Sequence, residues 1–428
     1  GRSGLAAGVR PPVRYGADNE RRHQRRGLRS RPGVQGKSVR IRRCPATVSA
    51  RSRRAQARTP AAVRRTRTLG RRSRRRALVE RGWEEAQLMK KRQAVTVALV
   101  AAVVLMTTAP PASADAASGA AWLATQQQAD GGFEVAGFTG FETSDAMLAI
   151  SEAAQSGGSW DASAARSAIS AVSTGAGLTP YDVVDDEAEA GPTAGAAAKL
   201  IAQVGAPGGW SDGLSPVAFD PAQDGGPVNL VAAMDAGLDG STGLYGTFGD
   251  TLAAVLAQRQ LCRDLPGATV AAVLAAAAPS GGWNFAGDPT DDTFDPDITG
   301  RTLQALAAAG VADDDEAVAA ALRRLALEHD ATSGGWIAFG AANPNSTALG
   351  ILGLDAYGLD PATRAWRDGL APERVGEPYV APTAYLLAQQ QPDGRIASPS
   401  DSFGINTFAT SQGVQALARR WNWTTPGS

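Results

Sequence analysis

The chain has 428 residues, in which 42 Lys and Arg are balanced by 42 Asp and Glu, with two His and two Cys. That balance is a sum of opposites: residues 1–114 hold 29 basic and 5 acidic side chains, residues 115–428 hold 13 and 37. An acidic second part argues against nucleic acid and anionic membranes as its partners. Its lone Cys262 and lone His329 exclude an internal disulfide and leave no set of ligands for a Cys/His zinc site.

In chain order, residues 1–88 are Arg-rich, lack hydrophobic periodicity and do not open with Met. They read as a disordered upstream extension of the reading frame. Trp83-Glu84-Glu85 implies the codons TGG-GAR-GAR, which can contain a purine-rich GGAGG of a bacterial ribosome-binding site just before Met89. The competing reading is a basic nucleic-acid-binding arm. Residues 89–114 have the layout of a secretory signal peptide. Lys90-Lys91-Arg92 precede a 13-residue apolar run, Ala94 to Met106, and Ala112-Ser113-Ala114 close it. The run is too short to span a bilayer. The mature protein is then residues 115–428, a single secreted domain with no membrane span.

That domain carries a degenerate repeat, a threonine followed seven residues later by an aliphatic residue. It appears as Thr143…Ile150, Thr193…Leu200, Thr299…Leu306, Thr347…Leu354 and Thr410…Leu417, with Thr251…Gln258 as a weaker member. A period near 50 residues marks supersecondary units that bury their apolar faces only against their neighbours. Each threonine precedes an Ala/Gly/Leu-rich run with helical spacing, which predicts it as an N-cap. Glycine pairs with an aromatic lie between the runs: Gly131-Gly132-Phe133, Gly208-Gly209-Trp210, Gly281-Gly282-Trp283 and Gly334-Gly335-Trp336. Glycines end helices, and the aromatic can pin the loop back. The expectation is an all-α protein of about six helix pairs, either an open superhelix or a closed ring.

Three segments carry family resemblances. Trp122-Leu123-Ala124-Thr125-Gln126-Gln127…Gly131-Gly132-Phe133 resembles the glutamine–tryptophan motif of the squalene-cyclase and protein-prenyltransferase repeat. Tyr385-Leu386…Gln390…Gly394-Arg395-Ile396 matches it at the same spacing. Asn343-Pro344-Asn345-Ser346-Thr347-Ala348-Leu349 is similar to repeats of the transcobalamin and intrinsic-factor group. The resemblance spans residues 117–420 and implies an α/α toroid, an α6/α6 barrel whose inner helices line a central cavity. Relatives in the corrinoid-binding group cover their ligand with a second, β-rich domain, so a second protein chain over the barrel is a possible partner.

Capped inner helices would gather Glu142, Asp145, Asp250, Asp295, Asp297, Asn345 and Asn406 at one mouth of such a barrel. The aromatics Phe133, Trp210, Trp283, Trp336, Phe339 and Phe403 are either pocket lining or repeat staples. Asp295-Pro296-Asp297-Ile298-Thr299 resembles the Asp-x-Asp-Asp-Thr motif of class II terpene cyclases, which would make Asp297 a proton donor. Ile298 replaces that motif's third aspartate, and the plainer reading is a helix cap. Asp291, Asp292 and Asp295 spell an Asp-Asp-x-x-Asp pattern between Pro289 and Pro296, which fits a solvated acidic loop or a Ca²⁺ or Mg²⁺ site. His329 reads as a positively charged residue at a helix C-terminus.

Three functions are compatible with these residues. The first is a non-catalytic module that binds a hydrophobic or corrinoid molecule, cobalamin included, at the barrel mouth. The second is a class II-like cyclase acting through Asp297, and the third an extracellular interaction scaffold. Export favours the first, because polyprenoid substrates are made inside the cell.

Overall fold

A computed structural model of the chain describes residues 115–133, 142–399, 401 and 406–424. The upstream extension, the signal-like stretch and Phe403 lie outside these residues. The described part is helical, as expected from its periodicity. In chain order its helices are α1 (Ala116–Thr125), α2 (Thr143–Ala153), α3 (Ala162–Ala171), α4 (Pro180–Glu189), α5 (Ala194–Leu200), α6 (Leu230–Ala236) and α7 (Phe248–Gln260). There follow α8 (Gly267–Ala275), α9 (Pro296–Ala308), α10 (Glu316–Glu328), α11 (Pro344–Ala356), α12 (Ala365–Leu370), α13 (Pro382–Gln389) and α14 (Thr407–Ala418). The only strands among the described residues form two short antiparallel hairpins, Leu214–Ser215 with Ala218–Phe219 and Trp336–Ala338 with Ala341–Asn343. No described helix is long and apolar enough to cross a membrane.

Burial sorts the helices into two sets. α2, α5, α7, α9, α11 and α14 are buried around most of their circumference. α1, α4, α8, α10 and α13 bury only a stripe, such as Val318, Leu322 and Leu325 on α10. A π turn over Ile201–Gly205 prolongs α5. The buried helices pack in sequence: the π turn against α2, α5 against α7, α7 against α9, α9 against α11, and α11 against α14. The last of them, α14, packs against α2.

Small residues let these backbones approach closely, which accounts for the Ala and Gly content. At the α9–α11 crossing a Cβ added to Gly353 would stand 2.8 Å from the Cα of Gly300. A larger side chain there would push two helices apart, at a cost typical of overpacking, about 1–3 kcal/mol.

The repeated threonine has a different role from the one its position suggested. Only Thr193 caps its helix, accepting from the Ala196 N–H at 3.2 Å. The other inner helices that have a side-chain cap use Thr247, Asp295, Asn343 and Asn406, with Pro296 and Pro344 at the first helical position of α9 and α11. The remaining repeat threonines lie in the first helical turn, where each hydroxyl accepts a backbone N–H from the preceding loop. The pairs are Thr143 with Phe133, Thr251 with Tyr245, Thr299 with Trp283, Thr347 with Trp336 and Thr410 with Ile396, at 2.9 to 3.1 Å. In two of the repeats the ring of the loop residue reaches back to the preceding helix. Trp283 Nε1 donates to Val273 O of α8, and Trp336 Nε1 to Leu325 O of α10. One threonine therefore ties an inner helix to a loop that an indole ties to an outer helix.

A glycine in left-handed backbone starts each of these loops: Gly131, Gly243, Gly281, Gly334 and Gly394, with φ from +78° to +102°. The bare α-carbon faces the backbone at or near the start of another outer helix: Thr179, Ala268, Ala320, Val380 and Ser118 in turn. A side chain is therefore excluded twice, by φ and by space. Gln127 and Gln390 act alike at this joint. Gln127 Nε2 donates to Gly131 O at 2.9 Å and reaches Leu178 O at 3.4 Å, and Gln390 Nε2 donates to Gly394 O and Asp115 O, both at 2.9 Å. His329 makes the corresponding bond to Val380 O at 3.1 Å. Burial, with Arg367 and Arg374 nearby, pushes its pKa down to about 4, so the imidazole is neutral. It sits as the C-cap of α10, at the helix end that the sequence suggested.

Candidate functional site

The first turns of α2, α9, α11 and α14 come together. The Thr407 hydroxyl donates to Glu142 Oε2. Asn406 Nδ2 donates to Asn345 Oδ1 at 3.3 Å, and Asn345 Nδ2 to Gln412 Oε1 at 3.0 Å. Asp297 lies beside Ser346 of α11. Of the residues expected at a mouth, Glu142, Asp145, Asp297, Asn345 and Asn406 thus belong to one lining.

Asp145 is its electrostatic centre. Its side chain is 1 % exposed and receives Lys199 Nζ at 2.6 Å and Gln203 Nε2 at 2.9 Å, both from the adjacent α5 and its π turn. Arg301 approaches from α9 at 3.9 Å. Side chains from α2, α5 with its π turn, and α9 thus meet at Asp145. Gln415 Nε2 holds the Asp145 carbonyl at 3.0 Å. A buried carboxylate is tolerated only with such partners.

Asp297 is arranged differently. Its backbone N–H donates to Asp295 Oδ1 at 2.9 Å, but its own Oδ1 has no hydrogen-bond partner. Burial raises its pKa to about 6, and Asp295 adds to the rise, while Ser346 and Arg301 pull the other way. Ser346 Oγ, Gln203 Oε1 and Gln304 Oε1 are likewise buried without hydrogen-bond partners. Buried polar atoms are nearly always satisfied in native proteins. Such groups leave bonding capacity for water or a ligand.

Other expected residues lie elsewhere. Asp295 is the α9 cap, accepting from the Asp297 and Ile298 N–H groups. Asp250 closes a capping box with Thr247 on α7. Asp291 accepts from Thr293 N–H, and Asp292 from Ser280 N–H and Oγ. Those bonds hold both pKa values below the ordinary carboxylate range. Asp291, Asp292 and Asp295 are thus spent on their own turns and do not converge as a metal site. Phe133, Trp283 and Trp336 are sealed in the core, which corrects the reading of Trp283 and Trp336 as ligand-facing. Trp210 stacks over Gly205 at the far end of α5, away from the lining. Phe339 is fully exposed on a hairpin tip.

Sequence reasoning missed Lys199, Gln203, Arg301, Ser346 and Gln412. One signal was available: Lys199 is the only lysine in residues 115–428, and a single lysine within an Ala-rich helical run is a poor surface residue.

A hollow of about 680 Å³ lies at the opposite, C-terminal ends of the inner helices, bordered by Trp160, Leu352, Asp355, Arg419, Trp421 and Trp423. The segment after α14 crosses these ends. Arg259 binds Thr424 O at 2.8 Å, Gln260 binds Trp423 O at 3.2 Å, and Trp421 meets Trp160 edge to face at 4.7 Å. Glu152 Oε2 accepts the Arg420 N–H at 3.0 Å. Burial raises the Glu152 pKa to about 8 against the pull of those backbone bonds. None of the tryptophans here was anticipated as lining.

No family model matches the chain, and no curated protein matches it.

Proposed function

We propose that residues 115–428 form a secreted α/α toroid that binds a small polar molecule among the N-terminal turns of its inner helices. The cyclic order of helix packing supports the toroid, as does the joint of Gly394 and Gln390 with the start of α1, which repeats the joint of Gly131 and Gln127 with the start of α4. The resemblance of Gln127 and Gln390 to the squalene-cyclase and prenyltransferase repeat points the same way.

One observation carries the binding reading: Asp297 Oδ1 and Gln203 Oε1 are buried with bonding capacity unused, Gln203 beside the Asp145–Lys199 pair and Asp297 next to Ser346 and within the field of Arg301. The lining is carboxylate, amide and guanidinium, so it suits an amide-rich ligand better than a bare hydrocarbon. A corrinoid, whose rim carries amides, fits that chemistry; a second chain covering it belongs to the same reading.

The alternative is a class II-like cyclase. Asp297 favours it, as a buried acid held near pH 6 is able to donate a proton. Against it, carbocation chemistry calls for apolar and aromatic walls, and this interior is crowded with amides and ions. Asp297→Asn separates the two readings. A binding module keeps a stoichiometric complex with cobalamin, weakened several-fold at most. A cyclase loses all turnover of a polyprenoid, and turnover by the parent protein that the variant abolishes would overturn the binding reading.

A further inference from the structure

The geometry points to a divalent-cation site, calcium by its ligand chemistry, at Asp185, Glu189 and Asp224. Asp185 and Glu189 are one turn apart on α4 and therefore share a face. Asp224 comes from the loop between the Ala218–Phe219 strand and α6. One oxygen from each residue lies within 4.8 Å of the other two. Ligands around a single calcium at 2.3–2.6 Å stand at about that separation.

Acidic clusters are common on surfaces, but this one is anchored below the surface. Asp185 is 2 % exposed, and its Oδ1 has no hydrogen-bond partner. No Lys or Arg forms an ion pair with any of the three carboxylates among the described residues. Instead Asp220 adds a fourth negative charge nearby and holds the loop by accepting the Asp224 N–H at 3.1 Å. The Ala222 backbone N–H is the one donor that acts on Asp185, and Gly226 N–H reaches Asp224 at 3.3 Å, which leaves Asp185 Oδ1 buried among carboxylates with no cation to offset them. Burial first, and then Asp220, Asp224 and Glu189, raise the Asp185 pKa to about 6 against the pull of the Ala222 N–H.

Gly226 lies under the end of the Glu189 side chain. Gln223 and Gly225 both take positive φ, curling Asp224 back toward α4. With oxygen ligands only, and no sulfur or imidazole, the site selects a hard cation. Its flexible loop and two exposed ligands suit the irregular shell of calcium better than the strict octahedron of magnesium. The affinity expected is that of extracellular modules, about 10⁻⁴–10⁻³ M. The metal would pin the 220–226 loop onto α4, far in sequence from the polar lining.

The test is a calcium titration of the full chain, followed by calorimetry and by thermal unfolding. Calcium binds one equivalent in this affinity range and raises the unfolding midpoint, with magnesium markedly weaker. Asp185→Asn removes buried repulsion, so the metal-free variant is at least as stable as the parent yet loses the calcium response. The exposed substitution Asp224→Asn weakens binding about tenfold or more. Absence of heat and of any midpoint shift at about 10 mM calcium, ten times the weakest affinity expected, would overturn the proposal. An unchanged calcium response in Asp185→Asn would overturn it too.

Discussion

At the scale of single residues, the repeat threonine shows how a short motif can be read correctly and assigned wrongly. Its recurrence was visible because the same bond recurs, but the bond runs to a loop N–H and not to the helix terminus. Thr347→Val would leave the buried Trp336 N–H without its acceptor and lose the bond from Thr347 Oγ1 to Asn343 O at 2.7 Å. The expected loss is about 1–3 kcal/mol in denaturant unfolding, and Thr347→Ser should recover most of it. Asp145 offers a sharper case. Lys199→Met removes the nearest cation from a carboxylate that is 1 % exposed. The expected destabilisation is about 3 kcal/mol, as for breaking one side of a buried pair. Lys199 and Arg301 were not legible as partners of Asp145, because their meeting depends on helices far apart in the chain.

At the scale of elements, the segment after α14 is held by a group that should be neutral below about pH 8. Glu152 has its pKa raised in the folded state, so the unfolded chain releases that proton first and stability falls as pH rises from the unfolded value through about 8. His329 works in the opposite sense. Its lowered pKa means that the unfolded chain takes up the proton first, so stability falls as pH drops from about 6.5 toward 4. Asp297 and Asp185, both raised to about 6, overlap that lower range. Among the described residues whose pKa is strongly shifted, Glu152 alone acts between pH 6.5 and 8, where unfolding free energy should fall by about 2 kcal/mol. Glu152→Gln keeps an acceptor for the Arg420 N–H and should flatten this limb. An unchanged slope in the variant would contradict the assignment. The helices themselves were legible from their periodicity, glycines and caps. The tryptophan-lined hollow was not, because Trp160, Trp421 and Trp423 belong to no repeat.

At the scale of the whole molecule, the telling contact is the one between the last repeat motif and the first described helix. Gly394 meets Ser118 and Gln390 reaches Asp115 O, the same joint that links repeats elsewhere. Gly394→Ala forces a side chain into φ +98° and into the Ser118 backbone. In a closed ring this single seam should cost as much as an internal joint such as Gly131→Ala, about 2 kcal/mol or more. In an open array the terminal substitution would be the milder one. The pairing of the first and last motifs was legible in the sequence, since Gln127…Gly131 and Gln390…Gly394 share their spacing. What the polar lining would hold was not, because its residues come from five buried helices and the π turn and share no local pattern.

The binding of a polar molecule by that interior is tested most directly by native mass spectrometry of the gently purified protein, alone and after incubation with cobalamin. A stoichiometric adduct that persists in the parent and weakens in Arg301→Gln is the result expected of the Asp145–Lys199–Arg301 lining. A mass equal to the bare chain under both conditions, with the protein folded, would contradict it.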